Sequence, residues 1–144
     1  MLFSVFIKSK KDNMNASMIW ANFSVKDVER TRKFYGQLGF TPNGNNNDPR
    51  LASFKFGKDD FVIHYFQEGS QIDNYLPSWP IHSNEIMFTL SAESKKEVDE
   101  FYKTVKDAGG TIINEPLRDK AGYYGFVFSD PDGHKFNVLL MDNM

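Results

Sequence analysis

The chain has no cysteine among its 144 residues, which excludes disulfides, zinc–thiolate sites and thiol catalysis. It also lacks any apolar run near the roughly 18–20 residues needed to cross a bilayer, so a membrane is not an expected partner. An excess of charge of one sign is missing too. Seventeen Lys and Arg against 19 Asp and Glu leave a formal net charge of −2, which gives no reason to expect nucleic acid as a partner. Neither GxGxxG nor a P-loop occurs, and "GQLGF" is too sparse in glycine to cradle phosphate. A reducing cytoplasm is compatible with these absences, and the expected location is cytoplasmic. The opening "MLFSVFIKSKKDN" is apolar first and basic afterwards, the reverse of a secretory signal. Residues 1–17 are therefore read as an N-terminal extension of uncertain order.

Aromatic residues are what the chain has in excess: 15%, with 14 Phe among them. That amount suits a thick β core or an aromatic-lined cavity. Patterning then organises the sequence. "MIWANFSV" (18–25) alternates as a strand, and "KDVERTRKFYGQLGF" follows with Val28, Thr31, Phe34, Tyr35 and Leu38 at helical spacing. Gly39 stands where a helix C-terminus favours it. "RLASFKFG" and "FVIHYF" read as two strands joined across "GKDD". Residues 67–83, with Gly, two Pro and mixed polarity, read as a linker. The order then repeats: "NEIMFTLS" as a strand, "ESKKEVDEFYKTVKDAGG" as a helix, "TIINEPL" as a short strand, and a closing hairpin "YYGFVFSDPDGHKFNVLLM". Both halves carry "FY" in the helix and F-x-F in a strand. The reading is an α+β fold of two β-α-β-β-β modules, 18–66 and 84–142, in a single domain 18–142. The modules are expected to form a cupped mixed sheet with helices on its outer face.

Parity within each strand says which side chains share a face. Ala21, Phe23 and Val25 are expected on the helix side, with Trp20, Asn22 and Ser24 opposite. Ile63 and Tyr65 oppose Val62, His64 and Phe66. In the second module Ile86, Phe88 and Leu90 oppose Glu85, Met87 and Thr89, while Phe136, Val138 and Leu140 oppose Lys135, Asn137 and Leu139. Aligning the modules matches Trp20 with Glu85 and His64 with Asn137, and these four become the candidate site. A Glu85–His64 pair across a shared cleft would raise the histidine pKa and could move a proton as general base and acid. The bland reading of each is a core or solvated side chain. His82 and His134 are expected to be exposed, "DPDG" (130–133) to be turn chemistry, and "AGYYGF" (121–126) to be a flexible aromatic edge.

The strand ending "VKD", the helix with "FY" and "LGF", and the "DPDG" hairpin with its polar Asn137 together resemble the vicinal oxygen chelate superfamily. That group holds glyoxalases, bleomycin- and fosfomycin-resistance proteins, extradiol dioxygenases and methylmalonyl-CoA epimerases. "WANFSVKDVERTRKFYGQLGF" with "SAESKKEVDEFYKTVKDAGG" is most similar to bacterial predicted lactoylglutathione lyases. The resemblance implies a homodimer and, in the relatives that use metal, a divalent ion held by His or Glu from the first and last strands of each module. The corresponding positions here hold Trp20, His64, Glu85 and Asn137, of which only His64 and Glu85 are conventional ligands. A degraded metal site is therefore implied, with His64 and Glu85 as remnant ligands.

Three functions follow. One is a protein that binds a small apolar or aromatic compound in a cleft lined by Trp20, Asn22, Phe66, Met87, Tyr124 and Asn137. The second is a lyase, isomerase or dioxygenase that uses a divalent metal through an unusual ligand set, with His64 and Glu85 catalytic. The third is a non-enzymatic dimeric scaffold.

Overall fold

A computed structural model describes residues 14–76 and 85–141. The first 13 residues and 77–84, which include His82 and the later part of the expected linker, lie outside the described residues. The first module runs β1 (Trp20–Val25), α1 (Val28–Gln37), β2 (Thr41–Pro42), β3 (Leu51–Phe56) and β4 (Phe61–Gln67). A 3-10 turn (Gln71–Asn74) follows and buries Ile72. The second module runs β5 (Met87–Ala92), α2 (Lys95–Asp107), β6 (Thr111–Arg118), β7 (Tyr124–Ser129) and β8 (Lys135–Leu140). Each module forms one four-stranded mixed sheet, in the orders β1-β4-β3-β2 and β5-β8-β7-β6. The α+β fold of two β-α-β-β-β modules is thus observed. The strands form two separate sheets, with a parallel β1–β4 or β5–β8 pair in each.

Local chemistry explains the helices. The Asp27 side chain caps α1 by accepting from the Glu29 and Arg30 amides at 3.1 and 3.2 Å, filling donors the first turn would otherwise leave empty. Ser94 caps α2, its Oγ accepting from the Glu97 amide at 3.0 Å, and Glu97 in turn accepts from the amide of Glu93, the residue before the cap, at 3.0 Å. Both helices end in glycines with left-handed backbone, Gly39 at φ 92° and Gly109 at φ 91°, where a side chain would be strained.

The apolar stripe of α1 (Val28, Thr31, Phe34, Tyr35) is buried, and one hydrophobic core includes residues from both modules. Tyr35 stacks on Tyr65 at 4.7 Å, Phe56 on Phe136 at 6.0 Å and Phe128 on Phe136 at 5.4 Å. Contacts across the modules also join Phe23 to Phe88, Phe61 to Phe88 and Phe34 to Phe128. All these strand residues lie on the helix-facing side of their sheets, so the high phenylalanine content is spent on the core that joins the modules.

A polar latch sits inside this aromatic junction. The Asp130 side chain is 0% exposed, and its Oδ2 accepts from the Tyr35 hydroxyl at 2.7 Å and pairs with His134 Nδ1 at 2.7 Å. Its Oδ1 accepts from the amides of Asp132 and His134, both at 2.9 Å. A buried carboxylate with this many donors is satisfied rather than stranded. His134 is stacked on Phe23 at 4.1 Å and its side chain is 16% exposed, which corrects the expectation of a solvent-facing residue. Asp132 reaches the first module as well, accepting from the Lys26 amide at 2.9 Å and pairing with Arg30 at 3.1 Å. The "DPDG" turn is therefore a clasp between modules as well as a turn.

Candidate functional site

Beyond that core, each sheet keeps a second face. On the first module the parallel β1–β4 register sets Trp20 beside Val62, Asn22 beside His64 and Ser24 beside Phe66. The antiparallel β3–β4 register continues the rows with Lys55, Ser53 and Leu51. Trp20 meets His64 edge-on at 6.4 Å, and Phe66 meets it at 5.8 Å. Trp20 is 48% exposed. A tryptophan and a phenylalanine thus flank a polar row of Asn22, His64 and Ser53, a pattern that suits a flat ligand carrying hydrogen-bonding groups.

The second module keeps the frame and changes the side chains. Met87 lies beside Lys135, Thr89 beside Asn137 and Ser91 beside Leu139. Val127 is opposite Asn137. Met87 is 50% exposed. The two registers make Met87 the counterpart of Trp20, since each is the first strand residue in its parallel pair. The expected match of Trp20 with Glu85 is therefore shifted by two residues. Glu85 stands exposed, two positions before β5 begins. Trp20, Asn22, His64 and Phe66 are brought together on one face, and Met87 and Asn137 on the other.

Tyr124 joins neither face. It lies on the helix side of β7, where its hydroxyl donates to Asp99 of α2 at 2.5 Å and Lys95 sits 5.0 Å from its ring. The Asp99 hydrogen bond, aided by burial, raises the Tyr124 pKa. Parity separates it from Asn137 by a whole sheet, so it is no cleft-lining residue, and these contacts fix a side chain expected on a flexible edge.

Burial lowers the His64 pKa, with desolvation of the imidazolium as the cause. Glu85 stands ahead of β5, and no hydrogen bond or ion pair joins it to His64 among the described residues, so the expected Glu85–His64 pair is not formed. The His64 Nδ1 is sealed from solvent and has no hydrogen-bond partner among the described residues. Among those residues there is also no group of three or more His, Cys, Asp or Glu side chains placed to hold a metal. The metal slots implied by the resemblance present an indole, one imidazole, an amide and a glutamate standing ahead of its strand. Catalytic zinc takes three strong protein donors and non-haem iron two histidines and a carboxylate. The donor set fits neither.

Ser53 and Asn43 were not singled out by sequence reasoning. Only the β3–β4 register reveals that Ser53 stands opposite His64, and alternation in "LASFKF" alone could not supply that pairing.

The profile of the Glyoxalase/Bleomycin resistance protein/Dioxygenase superfamily matches residues 17–138. The chain belongs to this superfamily. A hypothetical protein from S. aureus is 31% identical, with a TM-score of 0.75 over 92% of this chain and 98% of that one. A glyoxalase/bleomycin resistance protein/dioxygenase family enzyme from Burkholderia phytofirmans PsJN shares the fold at 20% identity, with a TM-score of 0.72 over 87% of this chain and 98% of that one. TioX from Micromonospora sp. ML1 does so at 16% identity and a TM-score of 0.61, over 87% and 98% of the two chains. No curated protein matches the chain in sequence. Among the described residues, no helix is long and apolar enough to cross a membrane.

Proposed function

We propose that this member of the glyoxalase/bleomycin-resistance superfamily binds a small, flat, partly aromatic molecule without a metal, on the open face of its first module. The observation that carries the reading is the arrangement of Trp20 and Phe66 around His64 on a sheet face that the core leaves uncovered. The lowered His64 pKa keeps that imidazole neutral near pH 7, so it can hydrogen-bond a ligand without attracting an anion. Lactoylglutathione lyase or dioxygenase chemistry would need stronger metal donors than Trp20, His64, Glu85 and Asn137 supply, and the binding role is preferred for that reason. The reading takes the protein as a cytoplasmic homodimer, in which the open face of the first module in one copy meets that of the second module in its partner. The exposure of Trp20 and Met87 supports a second copy covering these faces.

Thermal shift with a library of planar aromatic compounds and antibiotics, in the presence of chelator, tests the proposal. A ligand at 100 times its Kd stabilises by about 2.7 kcal/mol, and the shift should persist with chelator and disappear in Trp20→Ala. No shift across the library would overturn the reading. A shift that requires a divalent metal would move the protein to the metal-dependent class.

A further inference from the structure

His64 Nδ1 is a buried polar atom without a partner among the described residues, and an unmade bond at such an atom is unfavourable. The surroundings point to the group that fills it. Ser53 is opposite His64 in the β3–β4 register and only 5% exposed. Its amide donates to Asn46 Oδ1 at 2.8 Å and its carbonyl accepts from the Asn43 amide at 2.9 Å. Both backbone groups of Ser53 are thus turned away from β4, towards the loop. The Ser53–His64 pair is therefore a non-hydrogen-bonded one, the kind whose side chains approach most closely in an antiparallel ladder.

The loop also prepares the hydroxyl. Asn43 Nδ2 donates to Ser53 Oγ at 3.0 Å, which occupies an acceptor site on the oxygen and leaves its O–H to be given elsewhere. That loop is held in place. Asn46 adopts φ 53°, a left-handed conformation that asparagine tolerates, and Arg32 Nη2 donates to the carbonyls of Asp48 and Leu51 at 2.6 and 2.9 Å. A hydroxyl with a proton to donate and a ring nitrogen that lacks a partner stand across one rung of the sheet.

We propose that Asn43, Ser53 and His64 form a relay in which Ser53 O–H donates to His64 Nδ1, locking the imidazole as the Nε2–H tautomer. A side-chain adjustment of Ser53 or His64 completes the bond. The consequence is chemical. With Nδ1 accepting, a neutral His64 has its proton on Nε2, so the open face presents a hydrogen-bond donor between Trp20 and Phe66. A ligand with an acceptor at that place, such as a ring carbonyl, fits. A metal ion does not, because the Nε2 lone pair it would need carries the proton. This assignment of ligand chemistry rests on the binding role proposed above, whereas the relay itself can be read without any ligand.

Long-range proton–nitrogen correlation spectra of the imidazole nitrogens in 15N-labelled full-length protein, near pH 8 so that histidine is neutral, report the tautomer. His64→Gln identifies the signal. The expected result is the Nε2–H pattern for His64 in the wild type, its retention in Ser53→Thr, and a shift towards Nδ1–H in Ser53→Ala. Backbone amide dispersion matching that of the wild type confirms that each variant is folded. A wild-type Nδ1–H pattern, or a pattern unchanged by Ser53→Ala in a folded protein, overturns the relay. Zn2+ added to the wild type should leave the His64 signal in place, and a His64-dependent shift on adding it would also overturn the assignment. An empty ligand screen together with the Nε2–H pattern would fail the binding role and leave the relay standing.

Discussion

The two modules repeat one frame and diverge on one side of it. Their helix-facing positions match in kind: Phe54 and Phe128, Tyr65 and Val138, and Val25 and Ala92 are all buried. On the open faces the register pairs Trp20 with Met87, Asn22 with Thr89, His64 with Asn137, Phe66 with Leu139 and Leu51 with Gly125. The first module has aromatic rings and an imidazole where the second has flexible aliphatic and small polar groups. Shared burial constrains one face of a repeat, because every side chain there must fill the common core. The other face is released from that demand, and there the modules have become unlike. A ligand role assigned to one face, with the other as its cover, follows from this asymmetry.

The largest expected effect tests whether the two faces are as different in backbone as in side chain. A Cβ placed on Gly125 would come within 2.0 Å of the Val138 carbonyl oxygen, a contact that requires backbone to move. The matching position in the first module holds Leu51 without difficulty. Gly125→Ala should therefore cost about 3 kcal/mol or more, visible as a loss on the order of 10 °C in Tm. Leu51→Ala, at a half-buried position, should cost much less. Equal effects would mean that the sheets are interchangeable at this rung, and the asymmetry would be one of side chains alone.

A second comparison sets the junction against the open faces. Tyr35→Phe removes one donor from the buried Asp130 carboxylate and should destabilise by about 1.5–3 kcal/mol, the range for a hydrogen bond to a charged group. Asp130→Ala strips both Tyr35 and His134 of their partner and should cost more than Tyr35→Phe. Chemical denaturation would measure both, and a double-mutant cycle between Tyr35→Phe and His134→Gln should give a coupling of about 0.5 kcal/mol or more, because the two share one oxygen. A cycle that closes to zero would deny that the clasp acts as a unit.

Much of this frame can be read from sequence because it depends on periodicity. Val28, Thr31, Phe34 and Tyr35 are spaced for one helix face, and alternation in "FVIHYF" correctly parts His64 from Tyr65. The site was harder to read because it depends on registers between distant strands. Two residues of slip in the β1 to β5 comparison put Glu85 where Met87 belongs, and no local signal in "NEIMFTLS" marks which residue opens the strand. The sequence places Tyr124 in the cleft, whereas its partner Asp99 lies on α2, 25 positions earlier. The clasp was hidden for a related reason. Asp130 and His134 look like ordinary turn residues until the partner module supplies Tyr35 and Phe23, and such pairing of remote segments leaves no periodic trace.

The smallest effect isolates the one ionisable group that separates the faces, His64 against Asn137. Burial holds the folded-state pKa of His64 below its ordinary value of 6.5. As pH falls, the unfolded chain therefore takes up this proton before the folded one does, and protonation favours unfolding. The contribution of His64 is fully present above about pH 6.5 and is lost as pH falls through the lower, folded-state pKa. His64 is only partly buried, so solvent screening keeps the effect modest. Asn137 cannot titrate and adds no such slope. Denaturation of the wild type and of His64→Gln, each near pH 8 and near pH 5, separates this residue from His134 and His82, which both proteins retain. The wild type should lose more stability over that interval than the variant does. Equal losses would show that the imidazole is no less solvated in the folded chain than in the unfolded one, and the first module's open face would then hold its histidine as freely as a surface residue.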